Sequence, residues 1–476
     1  MRRVVTSMYK PTIGIEIHCE LKTNTKMFSK ARVSFDALPN HCVNEVDIAL
    51  PGTLPSLNKK GVELALRACL GLGMEIDKLV RFDRKNYFYS DLAKGFQITQ
   101  QFFPLGKNGK LEIVVDGEMK EIGIIRLHME EDTAKQYHED DCTLIDFNRS
   151  GVGLIEIVSM PQIHSGKEAA AYVSGLRELL LYLDVSDCKM EEGSLRCDVN
   201  VSVSNSDVLG TKVEIKNLNS VSNVSKAIDF EIKRQIEILN AGGEIVQETR
   251  RFDESSQMTV SMRKKEGVVD YKYFCEPNIR PILLGDEWLS EIEKSLVELP
   301  MERRKRYLGQ GLSLINADIL VANPDWANFV DELVLLGCNL VDATNLVLSE
   351  LLGMIKLKES LKTVFDVNEV AKLIGYLKDK KLSSKQAKVV IPELFNFKSS
   401  VDAVIKDKNL VLISDEKVIV NWISEVLGQN PQIKIDYLNG KDHALKYAMG
   451  QVMKLSKGQV DPALANKLLL NKLRED

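Results

Sequence analysis

Alternation of apolar and polar residues runs through Pro11-Thr-Ile-Gly-Ile-Glu-Ile-His-Cys-Glu-Leu21, and it constrains the fold more tightly than any other stretch. In an extended chain Ile13, Ile15, Ile17 and Leu21 fall on one side, with Glu16, His18 and Glu20 on the other. The pattern recurs. Ile122–Asp132 puts Arg126, His128 and Glu130 on one face, and turns Glu131 away unless a bulge intervenes. Leu154–Val158 carries one carboxylate, Glu156, in an apolar run. Ser194–Val203 sets Arg196, Asp198, Asn200 and Ser202 opposite Leu195, Cys197, Val199, Val201 and Val203. Thr211–Lys216 aligns Lys212, Glu214 and Lys216.

Strands follow one another without regular intervening helices, which points to an α+β fold with antiparallel sheet. Two helices interrupt them: Ser165–Leu183, apolar at 169, 172, 173, 176, 179, 180 and 183, and Val221–Leu239, stopped by Gly242-Gly243. From about Leu299 the periodicity becomes helical, and Ser383-Ser-Lys-Gln386 forms a capping box. The division expected is 1–298, 299–408 and 409–476. The last part is basic, with seven Lys/Arg against four acids from Lys441 onward. Lys446, Gly450 and Lys454 recur every four residues, giving one cationic, thin helix face.

A sheet face built from water-facing strands favours Thr, Lys and Glu. Glu-x-His and Arg-x-Asp-x-Asn are different, and five such strands suggest a shared functional floor. Glu156 needs a proton, a cation or a hydrogen-bond donor, because a buried unpaired carboxylate is costly. Carboxylates with one imidazole suit Mg²⁺ or Mn²⁺ better than zinc. Acids paired with Arg and Lys on neighbouring strands match phosphoryl transfer, where metal bridges phosphates and cations neutralise charge. The sequence has no G-x-x-x-x-G-K-[ST] and no G-x-S-x-G, so P-loop chemistry is not indicated. The loop Arg84-Lys-Asn-Tyr-Phe-Tyr-Ser-Asp91 reads equally as a stacking surface or as core packing. Arg250-Arg-Phe-Asp-Glu254 reads as a surface ion pair.

Composition narrows the class. A net charge of −5 argues against indiscriminate nucleic-acid binding but leaves room for a local basic patch. The eight cysteines include no C-x-x-C pair, which points to small buried hydrophobes in a reducing cytosol. The residues before Lys10 lack the apolar core of a signal peptide, and Leu333–Leu352 is broken by Asn339, Asp342, Asn345 and Glu350. A cytoplasmic protein without a membrane span is expected.

With these residues in hand, the chain resembles the B subunits of bacterial-type aspartyl/glutamyl-tRNA amidotransferases over essentially its full length. The matching stretches include Gly14-Ile-Glu-Ile-His18, Phe82-Asp-Arg-Lys-Asn-Tyr-Phe-Tyr89 and Arg126-Leu-His-Met-Glu-Glu-Asp132. Leu154-Ile-Glu-Ile-Val-Ser159, Met190–Asp198, Lys216–Ser220, Gln247–Glu254 and Gly450-Gln-Val-Met-Lys454 follow in order. The resemblance implies a cradle domain similar to the glutamine-synthetase catalytic sheet, then a helical domain and a small helical tail that binds tRNA. It implies ATP- and Mg²⁺-dependent transamidation of Glu-tRNA(Gln) and/or Asp-tRNA(Asn) in a heterotrimer. The implied partners there are an amidase, which is the A subunit, and a small protein, the C subunit. The implied metal ligands are Glu16, His18, Glu131 and Glu156, with Glu130 as fallback for Glu131. Arg196 and Lys216 are expected to neutralise phosphate beside Asp198 and Asn200. Lys446, Lys454 and Lys457 are expected on tRNA.

Ser90 and Ala93 stand where the family pattern has prolines, Gly153 replaces another, and Met160 replaces an acid. None of these removes a proposed ligand. Two rivals compete. An amide ligase releasing its own ammonia needs a nucleophile and base, for which no motif is recognisable. A tRNA-binding scaffold without catalysis would bind without consuming ATP.

Overall fold

The computed structural model describes residues 9–264, 270–355, 360–410, 415–438, 442–456 and 459–474. Residues before Tyr9, together with Lys441 and Lys457, lie outside them. The chain divides into two compact units, Met1–Arg303 and Arg304–Asp476. The sequence places its first break at 298/299.

The first unit is built on a nine-stranded sheet. In chain order its strands are β1 (Lys10–Glu20), β2 (Glu75–Ile76), β3 (Gly106–Val115), β4 (Glu118–Glu131), β5 (Gly153–Ser159), β6 (Leu195–Ser204), β7 (Val213–Leu218), β8 (Glu248–Asp253) and β9 (Met258–Lys264). Across the sheet they run β9-β8-β7-β6-β1-β5-β4-β3-β2. Every pairing is antiparallel except β7 with β8. The result is a mixed α/β unit with a large sheet.

Alternation decides which face is dry. Ile13, Ile15, Ile17 and Cys19 of β1 are fully buried, as are Cys197, Val199 and Val201 of β6. Helices α1 (Lys59–Gly71), α2 (Gly166–Tyr182) and α3 (Val221–Asn240) pack against this core. Ser165 caps α2 by accepting from the Glu168 amide, and Ser220 caps α3 by accepting from the Asn223 amide. The two helices approach closely at Gly166, where a Cβ would stand 2.4 Å from the Ser225 carbonyl oxygen. Only glycine fits there. Cys19, Cys42, Cys69, Cys188 and Cys197 are buried thiols, whereas Cys142 and Cys275 are exposed.

The second unit is helical. The capping box at the start of Ser384–Leu394 forms as expected: Ser383 accepts from the Gln386 amide, and Gln386 accepts from the Ser383 amide. Beyond it, helices Glu416–Gln429, Gln432–Leu438, Asp442–Leu455 and Pro462–Arg474 surround a core of Ile419, Ile423, Ala448, Val452, Leu469 and Leu473. Among the described residues no helix is long and apolar enough to cross a membrane.

Candidate functional site

Four strands converge on one cluster. In the register of β1 with β5, His18 faces Glu156; in that of β5 with β4, Glu156 faces His128. On the other side of β1, Glu16 faces Asp198 and His18 faces Arg196. Directly opposed residues share a face, so β4, β5, β1 and β6 place His128, Glu156, His18 and Arg196 in one cross-strand row.

Ligating atoms of His18, Glu130 and Glu156 all lie within 4.8 Å of one another. His18 Nε2 is 3.3 Å from Glu156 and 3.8 Å from Glu130. His128 Nε2 stands 3.4 Å from Glu156 and 3.7 Å from Glu130. Water reaches only part of this set: His18 is 22% exposed, Glu156 14% and Glu130 5%. Glu16 accepts a hydrogen bond of 2.9 Å from Asn200.

The electrostatics are those of crowded carboxylates. Burial and then Glu156 push the Glu16 carboxyl above its ordinary range, against the Asn200 hydrogen bond. Burial disfavours charge on both imidazoles, yet the carboxylates prevail: His18 rises, and His128 is pushed up to about 9. Burial opposes ionisation of Glu156 as well, but His128 and His18 hold it well below the usual carboxylate range. Three carboxylates thus share two imidazoles, and among the described residues His128 Nδ1 is buried without a hydrogen-bond partner. An oxygen-rich set with imidazole, short of positive charge, fits a hard divalent cation.

The structure brings Glu130, rather than Glu131, to His18 and Glu156. Pairing is continuous from Val158↔Arg126 through Leu154↔Glu130 to Gly153↔Glu131; the bulge lies beyond Val158, too early to turn Glu131 inward. Glu131 is instead engaged by the Lys94 ammonium and the Ile98 amide. The two expected phosphate cations are also occupied. Arg196 donates to both oxygens of Asp132, at 2.8 and 3.3 Å. Lys216 lies 3.0 Å from Asp198 and 2.8 Å from Glu214, and those acids raise its pKa despite burial. His128 shared the face read from alternation, but nothing in the sequence marked it as a contact of both acids.

Aromatic rings border the cluster. Tyr87 lies edge-on to both Tyr89 and Tyr271; Tyr271 is edge-on to Tyr273, and Tyr273 to Phe102. The loop is neither wholly packed nor wholly free: Tyr87 is half-buried, while Phe88 and Tyr89 are exposed. Arg250 differs from its surface reading, because it joins Glu231, Glu248 and Thr259 in a buried network. In the tail, Lys446, Gly450 and Lys454 of Asp442–Leu455 are all exposed, opposite buried Ala444, Ala448 and Val452.

Comparison with known proteins gives the family. Residues 11–290 match the GatB/GatE catalytic domain, and residues 328–473 match the GatB domain. The B subunit of the Mycoplasma mycoides aspartyl/glutamyl-tRNA(Asn/Gln) amidotransferase is 46% identical over 473 residues, covering 98% of each chain. Its counterparts in Staphylococcus saprophyticus and Geobacillus thermodenitrificans are each 46% identical, over 98% of this chain and 99% of theirs.

Proposed function

From the premise that the chain belongs to the GatB family of amidotransferase B subunits, we propose that its sheet cluster activates the side-chain carboxylate of glutamate or aspartate on tRNA. The chain is one component of an enzyme complex that transamidates misacylated tRNA. The observation that carries the reading is the convergence of His18, Glu130 and Glu156 on one partly open point of the polar sheet face. A strand floor of this kind also supports a cradle similar to that of glutamine synthetase.

The chemistry needs two displacements. The aminoacyl carboxylate attacks the γ-phosphorus of ATP: a carboxylate O–P bond forms, the bond to the β-phosphate oxygen breaks, and its electron pair leaves on ADP. Ammonia then adds to the acyl carbon, the C–O bond breaks with its pair leaving on phosphate, and the extra proton on nitrogen is lost to give the amide. Mg²⁺, when bound, would supply neutralisation of the phosphate charge.

His18, Glu130 and Glu156 would hold that ion, with Glu16 beside them. Glu131, the ligand implied by the sequence resemblance, would act only by leaving Lys94. Asn200 orients Glu16, while Asp198 accepts from Lys216 and from the Asn217 amide. Arg196 and Lys216 would reach a phosphate by giving up part of their carboxylate pairing. The ammonia would come from an amidase partner, with a third, small protein completing the assembly. The tail, 409–476, would hold tRNA through its exposed lysines.

The test is transamidation by the assembled complex, supplied with Mg²⁺, ATP and free ammonia, on Glu-tRNA(Gln) and Asp-tRNA(Asn) in parallel. Glu156→Gln should lower the rate by at least ~100-fold, because loss of a metal-site carboxylate exceeds the 10–100-fold effect of outer-shell changes. Wild-type turnover in that variant would move the chemistry elsewhere.

A further inference from the structure

Among the described residues, several cations around the cluster are already engaged, whereas one on its own strand is not. Arg196 is held by Asp132, Lys216 by Asp198 and Glu214, and Lys94 by Glu131. Arg149 donates to the Thr133 and Ala134 carbonyls. Lys85 lies over the Tyr271 ring, 4.9 Å from its centroid. Arg126 makes no hydrogen bond or ion pair among the described residues, although it projects from the same face of β4 as His128 and Glu130.

Its position follows from the register. Val158↔Arg126, Glu156↔His128 and Leu154↔Glu130 are successive same-face pairs without an intervening bulge. Arg126 is therefore the diagonal neighbour of Glu156, a separation of about 7–8 Å that a long side chain spans. The Tyr273 phenol lies within electrostatic reach of Arg126, Glu156 and Glu130 alike. On the outer side Arg126 faces Lys107 of β3 directly. Like charges opposed across a ladder destabilise it unless an anion lies between them. On its other side Lys107 stands opposite Glu75 of β2 in the ladder, and that carboxylate accepts from Asn108 at 3.2 Å.

We infer that Arg126, supported by Lys107, is the anion subsite that receives the transferred phosphoryl group beside the His18–Glu130–Glu156 cluster. The inference rests on the phosphoryl-transfer reading given above. A planar guanidinium with free N–H groups matches phosphate oxygens in pairs, whereas one already forked onto a carboxylate does not. The subsite lies across the His18–Glu130–Glu156 cluster from Lys216, so the reacting phosphate would be bracketed by cations on β4 and β3 and by carboxylates on β1 and β5.

Initial rates of the assembled complex at varied ATP, with free ammonia and saturating misacylated tRNA, test it. Arg126→Gln should lower kcat/KM for ATP by about 100-fold, the scale of losing one charge-stabilising donor. Arg126→Lys should restore part of the loss, and Lys107→Gln should raise KM for ATP a few-fold (~3) with little change in kcat. KM for the misacylated tRNA should stay at its wild-type value in all three. Wild-type ATP kinetics in Arg126→Gln, beside an inactive Glu156→Gln, overturns the subsite and leaves the cluster standing. An active Glu156→Gln removes the cluster reading itself. If Arg126→Gln does not assemble, Arg126→Lys decides: unchanged ATP kinetics in that variant overturns the subsite.

Discussion

Glu156 and Glu231 are both carboxylates in the first unit with little contact with water, yet their surroundings are opposites. Glu231, on α3, is fully buried and fully met: Arg234 donates at 2.6 and 3.0 Å, Gln235 at 2.9 Å and Thr259 at 2.9 Å. Arg250 adds an ion pair at 3.5 Å and bonds Glu248 at 2.6 Å, so two acids balance two guanidiniums. Around Glu156 the acids outnumber the imidazoles, and His128 keeps a buried nitrogen without a partner among the described residues. A network whose members satisfy one another ties elements together; one left short of positive charge has room for a ligand. Burial alone does not tell them apart. Donor count does.

The strongest challenge to that contrast comes from the two neighbours on β4. Glu130→Gln should raise the Mg²⁺ needed for half-maximal transamidation and cost ~100-fold in rate at limiting metal, with the melting temperature unchanged or higher. Glu131→Gln should leave the Mg²⁺ requirement where it was, because that carboxylate serves Lys94. Titrating Mg²⁺ in both variants decides between them. A shift in Glu131→Gln alone would return the ligand to the position implied by the sequence resemblance.

On the balanced side, Glu231→Ala strands two guanidiniums and should destabilise the fold by about 3–5 kcal/mol. Thermal or denaturant unfolding of the full chain measures this. Transamidation well below the melting temperature should stay near wild type. Lost activity with unchanged unfolding would mean that the network is itself part of the site.

Much of the contrast was legible along the chain, and the missing part has a physical cause. Alternation sorted Glu16 with His18, and Arg126 with His128 and Glu130, each onto one face of its own strand, because period two is a local property. Boundaries were also local, since Ser165 and Ser220 mark helix starts through their own side chains. Pairing partners are not local. Arg196 meets Asp132 sixty-four positions away, and Lys94 reaches Glu131 from outside the sheet. Arg250 looked like a surface residue because Glu231 approaches it from α3, and the parallel join of β7 to β8 is set by tertiary packing. The sequence thus displayed which charges share a face and concealed which of them cancel.

The same criterion extends to the tail, where the expected effect is smallest. Lys446 and Lys454 are exposed, lie two helical turns apart and make no ion pair among the described residues. Lys372 and Lys408, in the same helical unit, are instead committed to Asp402 and Glu393. If unpaired charge marks a ligand surface, Lys446→Gln with Lys454→Gln should weaken tRNA binding by the complex by about tenfold at low salt. The slope of log affinity against log salt should become shallower by about 1.5, the counterions released by two phosphate contacts. Replacing Lys372 and Lys408 in the same way should change neither quantity, because their charge is already neutralised within the chain. Equal effects from the two pairs would show that the tail contributes only general charge, and the rule drawn from Glu156 and Glu231 would then hold for buried groups alone.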